Sequence, residues 1–185
     1  MKVVVGLGNP GGRYAGTRHN VGYAVIHRLG DGAGCGRFQS RFQAQVAELT
    51  EGPHKVLLVM PETFMNLSGR SVRQLVDFYQ LPLDDLLVVC DDINLPLGRL
   101  RARARGTHGG HNGLRDIQNH LGTTAYARLR IGVDAPQEED AVGHVLGRFR
   151  PSERPVIDEA LARAAQAVVV WIHHGIGACM NQYNG

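Results

Sequence analysis

The sequence predicts an α/β fold built on a single mixed, mostly parallel β-sheet with helices flanking both faces. Three observations lead there. Short apolar runs rich in β-branched residues recur along the chain, stretches with apolar residues at helical spacing separate them, and two further segments alternate in residue type as half-exposed strands do.

The first run, residues 3–7, is apolar throughout, as a strand buried on both faces requires. Residues 20–29 then show helical periodicity, with Asn20 positioned as an N-cap. A glycine-rich loop at 31–36 precedes residues 39–49, whose alternation predicts strand. Residues 56–60 repeat the buried-strand pattern, 67–79 the helical one and 86–90 the strand again. Residues 98–105 alternate, 112–121 are helical, 129–133 form the last apolar run, and a final helix is expected over 152–174. At least one of the alternating segments should run antiparallel to the rest, and no internal repeat is present.

A chain of 185 residues suffices for one hydrophobic core, so a single domain over 1–185 is expected. The opening MKVVVGLGNP lacks a cleavage site, and no run approaches the ~18 apolar residues of a membrane span, which predicts a soluble chain without an export signal. Cys35, Cys90 and Cys179 are odd in number and contain no CxxC pair, which speaks against a disulfide framework or zinc ribbon and for a reducing cytosol. The formal charge of +3 is too small to imply nucleic acid by itself. Its distribution is more informative: residues 99–130 hold seven arginines against one acid, Asp116, so the remainder is net negative. That concentration fits an anionic partner on one face or an arginine-rich solvated strand.

In open α/β sheets ligands sit beyond the carboxyl ends of the strands. Four polar segments fall there: GNPGGRYAGTRHNVG, PETFMNLSG, DDINLP and GTHGGHNG. His19 enters the first helix, and Asp91 at a strand end could receive an imidazole N–H, fixing the tautomer of a general base. Taken alone, His19 could equally decorate a helix entrance, Asp91 could serve a turn, and Asp92 could be the functional acid. Asn9, Asn66 and Asn112 offer amides that both donate to and accept from a peptide link, although Asn66 and Asn112 also stand where N-caps stand. Phe64 and Met65 are apolar loop residues that could line a site or anchor the loop.

Other chemistries are less well supported. Residues 6–11 match GxGxxG, the mark of dinucleotide-binding dehydrogenases, but Pro10 has no N–H and no helical pattern follows at once. His108 and His111 have a metal-like spacing without a neighbouring Cys or carboxylate in sequence, and no metal or cofactor is expected. Cys90 raises a thiol hydrolase, but it ends an apolar run and reads as a core thiol. A non-catalytic RNA-binding protein using the same basic face is the principal alternative.

Six strings, GLGNPG, TRHNVG, TFMNLSG, an aspartate before xxLP, GGHNG and RLRIG, occur in the order and spacing of bacterial-type peptidyl-tRNA hydrolases, and the resemblance spans residues 1 to about 175. It implies cleavage of the ester bond of peptidyl-tRNA without a cofactor, by a cytosolic monomer that contacts the acceptor stem and the nascent peptide. The catalytic histidine then falls on His19, its supporting aspartate on Asp91, and the asparagine that tells blocked from free aminoacyl-tRNA on Asn9. Tyr14, Phe64, Asn66 and Asn112 match tRNA-binding positions, with Met65 and His111 near the peptide and acceptor end. Arg101, Arg103 and Arg130 match positions that hold acceptor-stem phosphates. Asn94 and Thr107 depart from the common pattern at positions outside the chemistry.

Overall fold

The computed structural model describes residues 1–32 and 34–185; Ala33, within the glycine-rich stretch 31–36, lies outside the described residues. The strands are β1 Lys2–Gly6, β2 Gln39–Arg41, β3 Ala44–Glu51, β4 His54–Pro61, β5 Leu86–Asp92, β6 Leu100–Arg103 and β7 Ala127–Gly132. The helices are α1 Val21–Gly30, α2 Ser68–Tyr79, α3 Asn112–Leu121, α4 Ala141–Leu146 and α5 Arg154–Tyr183. All seven strands join one sheet in the order β2-β3-β4-β1-β5-β7-β6. The central four, β4, β1, β5 and β7, are parallel, while β2 and β3 on one side and β6 on the other pair antiparallel.

The apolar runs are continuous because both sheet faces are covered. Along a strand, side chains alternate between faces. Val3, Val5, Leu57, Val59, Leu86 and Val88 therefore pack with Val72 and Leu75 of α2 and Leu114 and Ile117 of α3. Val4, Leu58, Leu87, Val89, Leu129 and Ile131 point the other way, toward Val25 and Ile26 of α1 and Ile157 and Trp171 of α5. Each such side chain contributes about 1.5–3 kcal/mol when fully buried, so an inserted charge on either face would be severely destabilising.

Close backbone packing brings α1 to the sheet. A Cβ on Gly22 would lie 2.5 Å from Leu7 N and O and from Val89 O, and one on Gly6 would collide with the Gly22 carbonyl. Only glycine permits this approach, which sets the turn before α1 against the carboxyl ends of β1 and β5. Of the glycines in the GxGxxG match, Gly6 and Gly8 thus serve packing against α1, whereas Gly11 lies in open space at φ 102°. Two short 3₁₀ turns, Gly12–Tyr14 and Arg18–Asn20, intervene before α1, so no helix opens within the motif as a dinucleotide site requires.

Several elements differ from the sequence reading. Residues 39–49 are a hairpin whose turn, Phe42 and Gln43, adopts φ of 55° and 53° without the usual glycine or asparagine. α4 was not anticipated, being six residues with a glycine inside. The final helix continues past 174: Gly175 breaks the helical geometry at φ 82°, and the chain resumes it to Tyr183. Beyond it, Asn184 pairs with the outer edge of β6, accepting from Ala102 N–H at 2.6 Å and donating to Ala102 O at 2.9 Å. Among the described residues no helix is long and apolar enough to cross a membrane.

Candidate active site

Asp91, 1% exposed, ends the fully buried portion of β5 and projects into a cleft of about 210 Å³ at the carboxyl end of the sheet. His19 approaches from the Arg18–Asn20 turn, its Nδ1 lying 2.9 Å from both Asp91 oxygens. An ionised carboxylate only accepts, so the proton sits on Nδ1. Nε2 is thereby left as a lone-pair acceptor, with no hydrogen-bond partner among the described residues.

A second imidazole completes the cluster. His111 Nδ1 accepts the N–H groups of Gly113 at 3.1 Å and Leu114 at 3.3 Å, capping α3. Its proton must then be on Nε2, which donates to Asp91 Oδ1 at 2.8 Å. Burial alone would push the Asp91 carboxyl up, but the charge and N–H of His111, followed by those of His19, outweigh it and hold the acid well below the ordinary carboxylate range.

His19, Asp91 and His111 place ligand atoms within 4.8 Å of one another, the one such trio among the described residues. The carboxylate that the HGGH string lacked in sequence is therefore supplied in space. A tetrahedral ion with bonds of ~2.0–2.1 Å would hold its donors about 3.3 Å apart and need bare ring nitrogens. The two imidazole–carboxylate separations here are 2.8–2.9 Å, hydrogen-bond distances shorter than that spacing, and the bonds His111 makes assign its proton to Nε2, so the trio fits two imidazoles donating to one carboxylate better than a ligand set. Asp92 also lines this cleft, but it makes no bond to His19 and instead accepts from Asn94 N–H at 2.8 Å and faces Arg130 at 3.7 Å. Cys90 is wholly buried and its thiol is pushed up to about 12 by burial, so it supplies no nucleophile.

Asn9 is fixed from three sides. Its backbone N–H donates to Asn20 Oδ1 at 2.8 Å, its carbonyl accepts from Asn20 Nδ2 at 3.0 Å, and its own Oδ1 accepts Met65 N–H at 2.7 Å. The side-chain NH₂ of Asn9 has no partner among the described residues and is not sealed from solvent. Asn9 and Asn20 border a second, mainly apolar cavity of about 470 Å³, walled by Tyr23 and Ala24 of α1, Met60 of β4 and Phe149 and Leu161 near the start of α5.

The profile of a family described as peptidyl-tRNA hydrolase matches residues 3–185. The chain belongs to the peptidyl-tRNA hydrolase family. The peptidyl-tRNA hydrolase of Desulforamulus reducens is 46% identical over 184 residues, covering 100% of this chain and 89% of that one. That of Caldanaerobacter subterraneus subsp. tengcongensis is 44% identical over 185 residues, covering all of both. The crystal structure of peptidyl-tRNA hydrolase from Acinetobacter baumannii superposes with a TM-score of 0.93 at 37% identity, covering 100% of this chain and 95% of that one. Membership in the peptidyl-tRNA hydrolase family agrees with the six strings and removes the dehydrogenase reading.

Within this peptidyl-tRNA hydrolase fold, the cleft gathers His19, Asp91, His111, Asn112 and Arg130, and Asn9 opens on the neighbouring cavity. Tyr14, Phe64, Met65, Asn66, Arg101 and Arg103 line neither. Met65 is buried and tied to Asn9, whereas Phe64 is 55% exposed. Tyr14 is half-buried in the Gly12–Tyr14 turn with Arg13 against its ring.

Three capping expectations require correction. Asn20 stands at the α1 N-cap position, but its side chain clasps Asn9 instead of capping the helix. Leu67 occupies the N-cap of α2 and His111 that of α3, leaving the side chains of Asn66 and Asn112 exposed. The basic face is also smaller than the count of seven. Arg128 is 1% exposed and donates to the carbonyls of Gly106, Thr107, Thr124 and Tyr126. Arg101 and Arg103 do share the exposed face of β6. Cross-strand register sets Arg101 opposite Arg130 and Arg103 opposite Arg128. Arg130 is already met by Asp92 and by the Thr107 carbonyl, and Arg128 is buried among carbonyls, so Arg101 and Arg103 are the cations of this strand pair that project into solvent.

Proposed function

We propose that the His19 cleft performs the reaction for which the family is named, with water as the nucleophile and His19 Nε2 as the general base. The observation that carries this reading is the Asp91 carboxylate holding His19 Nδ1 at 2.9 Å while Nε2 stays unengaged. As water adds to the ester carbonyl, its proton passes to Nε2 and Asp91 stabilises the resulting imidazolium. The tetrahedral intermediate then collapses, breaking the bond to the ribose 3′ oxygen, which takes up a proton as tRNA leaves. General-base help of this kind is worth ~10²–10⁴ in rate.

Asn9 senses the peptide link next to the ester. Its side-chain NH₂ donates to a peptide carbonyl, and the apolar cavity beyond it accommodates the peptide. A free aminoacyl-tRNA would present a hydrated ammonium there, which is costly to desolvate. Asn66, Asn112, Tyr14 and Phe64 contact the tRNA end from the rim, and Arg101, Arg103 and Arg130 neutralise acceptor-stem phosphates without reading bases. The same reading makes the chain one catalytic domain working as a monomer in the cytosol, in keeping with one continuous sheet and three unpaired cysteines.

The test is release of N-acetyl-aminoacyl-tRNA by the wild-type chain and by His19→Ala, with unblocked aminoacyl-tRNA as control. Rapid cleavage of the blocked substrate alone, lost in the variant, is the expected result. Wild-type turnover by His19→Ala would remove the base assignment, and tRNA binding without any cleavage would favour a binding protein.

A further inference from the structure

Arg18 precedes His19, is buried, and has no part in the chemistry above. Its guanidinium reaches into the segment that follows α4. Nη2 donates to Glu153 Oε1 at 2.8 Å with both side chains buried, and Nη1 donates to the carbonyls of Arg148 at 2.9 Å and His144 at 3.3 Å. The cation also lies 5.3 Å from the ring centroid of Phe149. Backbone contacts reinforce the grip: Arg18 N–H donates to Gly147 O at 3.0 Å, and Thr17 forms a β-bridge with Arg148. Glu153 is steadied in turn by the backbone N–H and Nε of Arg150, at 2.8 and 3.1 Å.

The segment so gripped carries a wall of the cleft. Ala141, Val142 and Val145 of α4 line it opposite His19 and Asp91. A six-residue helix has no stability of its own, and α4 buries no residue fully: Val142 is 66% and Leu146 39% exposed. Its position therefore depends on anchors. One is His144 Nε2, which donates to the carbonyls of Val133 and Asp134 at 3.1 and 2.8 Å. The other is Arg18, which provides charge-assisted hydrogen bonds to a buried partner, the kind that is strong when complete and costly to break.

We propose that Arg18 is a positioning residue, clamping the α4 wall to the turn that carries His19 and so setting the width of the substrate cleft. The inference rests on the reading of that cleft as the site of hydrolysis. Arg18 touches neither the His19–Asp91 pair nor His111–Asp91, so releasing the clamp weakens substrate binding while leaving the base intact. Lost binding that is shared by ground and transition states raises KM without lowering kcat.

Amide hydrogen exchange and steady-state kinetics on N-acetyl-aminoacyl-tRNA, applied to Arg18→Gln, Arg18→Lys and Glu153→Gln, test it. The amides of Gly143, His144 and Gly147 should exchange faster in each variant, with KM raised about tenfold in Arg18→Gln and kcat within about twofold. The pH profile of kcat should not move, and Arg18→Lys, which keeps the charge but loses the fork, should fall between wild type and Arg18→Gln. Unchanged α4 exchange in the folded Glu153→Gln and Arg18→Lys variants would overturn the inference. So would faster exchange with an unaltered KM, or kcat and kcat/KM falling together with a shifted pH profile. The His19→Ala control separates the two readings: an inactive His19→Ala together with unmoved α4 exchange in the Arg18 and Glu153 variants defeats the clamp alone, whereas an active His19→Ala defeats the site itself.

Discussion

His111 donates to the same oxygen of Asp91, Oδ1, that His19 Nδ1 approaches, at 2.8 Å against 2.9 Å. The carboxylate is thus oriented by one imidazole while it orients the other. His111→Asn can still cap α3 through its side-chain oxygen but cannot supply the same donor to buried Asp91, so turnover should fall about tenfold and stability by ~1.5–3 kcal/mol, the worth of one buried charged hydrogen bond. His111→Ala should lose turnover likewise and a further ~0.5–2 kcal/mol of stability. Denaturant unfolding alongside single-turnover kinetics checks both.

Asp91→Asn keeps the shape of the site but lets the amide donate toward His19, favouring the wrong tautomer. Turnover should drop by about 10²–10⁴ with little change in KM. Equal kcat in the two proteins would show that the tautomer is immaterial.

The depressed acidity of Asp91 also has a signed effect on stability. The folded value lies below the unfolded one of about 3.9, so the contribution is fully present above that pH and disappears as pH falls toward the folded value. The stability gap between wild type and Asp91→Asn should therefore narrow as pH falls below about 4. Urea midpoints across that range measure it, and a gap that widens on acidification would contradict the sign.

Asn9→Asp preserves the acceptor for Met65 N–H and removes the free donor. Binding of the blocked substrate should weaken about tenfold or more, and the added charge should erode discrimination against free aminoacyl-tRNA. The ratio of kcat/KM for the two substrates is the readout.

Arg101→Ala should lower the salt slope of tRNA binding by about 0.7–0.9, one phosphate's share, and Arg128→Ala should leave the slope unchanged while destabilising the fold. The difference follows from burial: Arg101 is exposed, and Arg128 spends its donors on four carbonyls.

Much of this architecture was legible in the sequence because both sheet faces are buried, which writes strands such as 3–7 and 86–90 as unbroken apolar runs. The rim segments followed from the ends of those runs, and the roles assigned to His19, Asp91 and Asn9 rested on the family strings. What escaped depends on contacts across the chain. Asn20 was read by its local preference for a cap, but the backbone of Asn9, eleven residues away, outcompetes the helix for its amide. The family strings set His111 near the peptide and acceptor end, but its bond to Asp91 was not legible because the two residues are adjacent only in space. The Phe42–Gln43 turn carries no glycine to announce it, and the left-handed geometry is imposed by the register of β2 and β3. Counting arginines gave Arg128 to the surface, since composition cannot tell a guanidinium facing water from one facing carbonyls.

The pairing of Asn184 with Ala102 gives this asparagine a protective task. A bare strand at the margin of a sheet is a template on which other molecules can add strands of their own. Here a single carboxamide occupies both backbone groups of Ala102, acting as a stopper on β6. Replacing Asn184 by alanine would uncork that margin, and the cost would appear as self-association at high concentration instead of as lost catalysis.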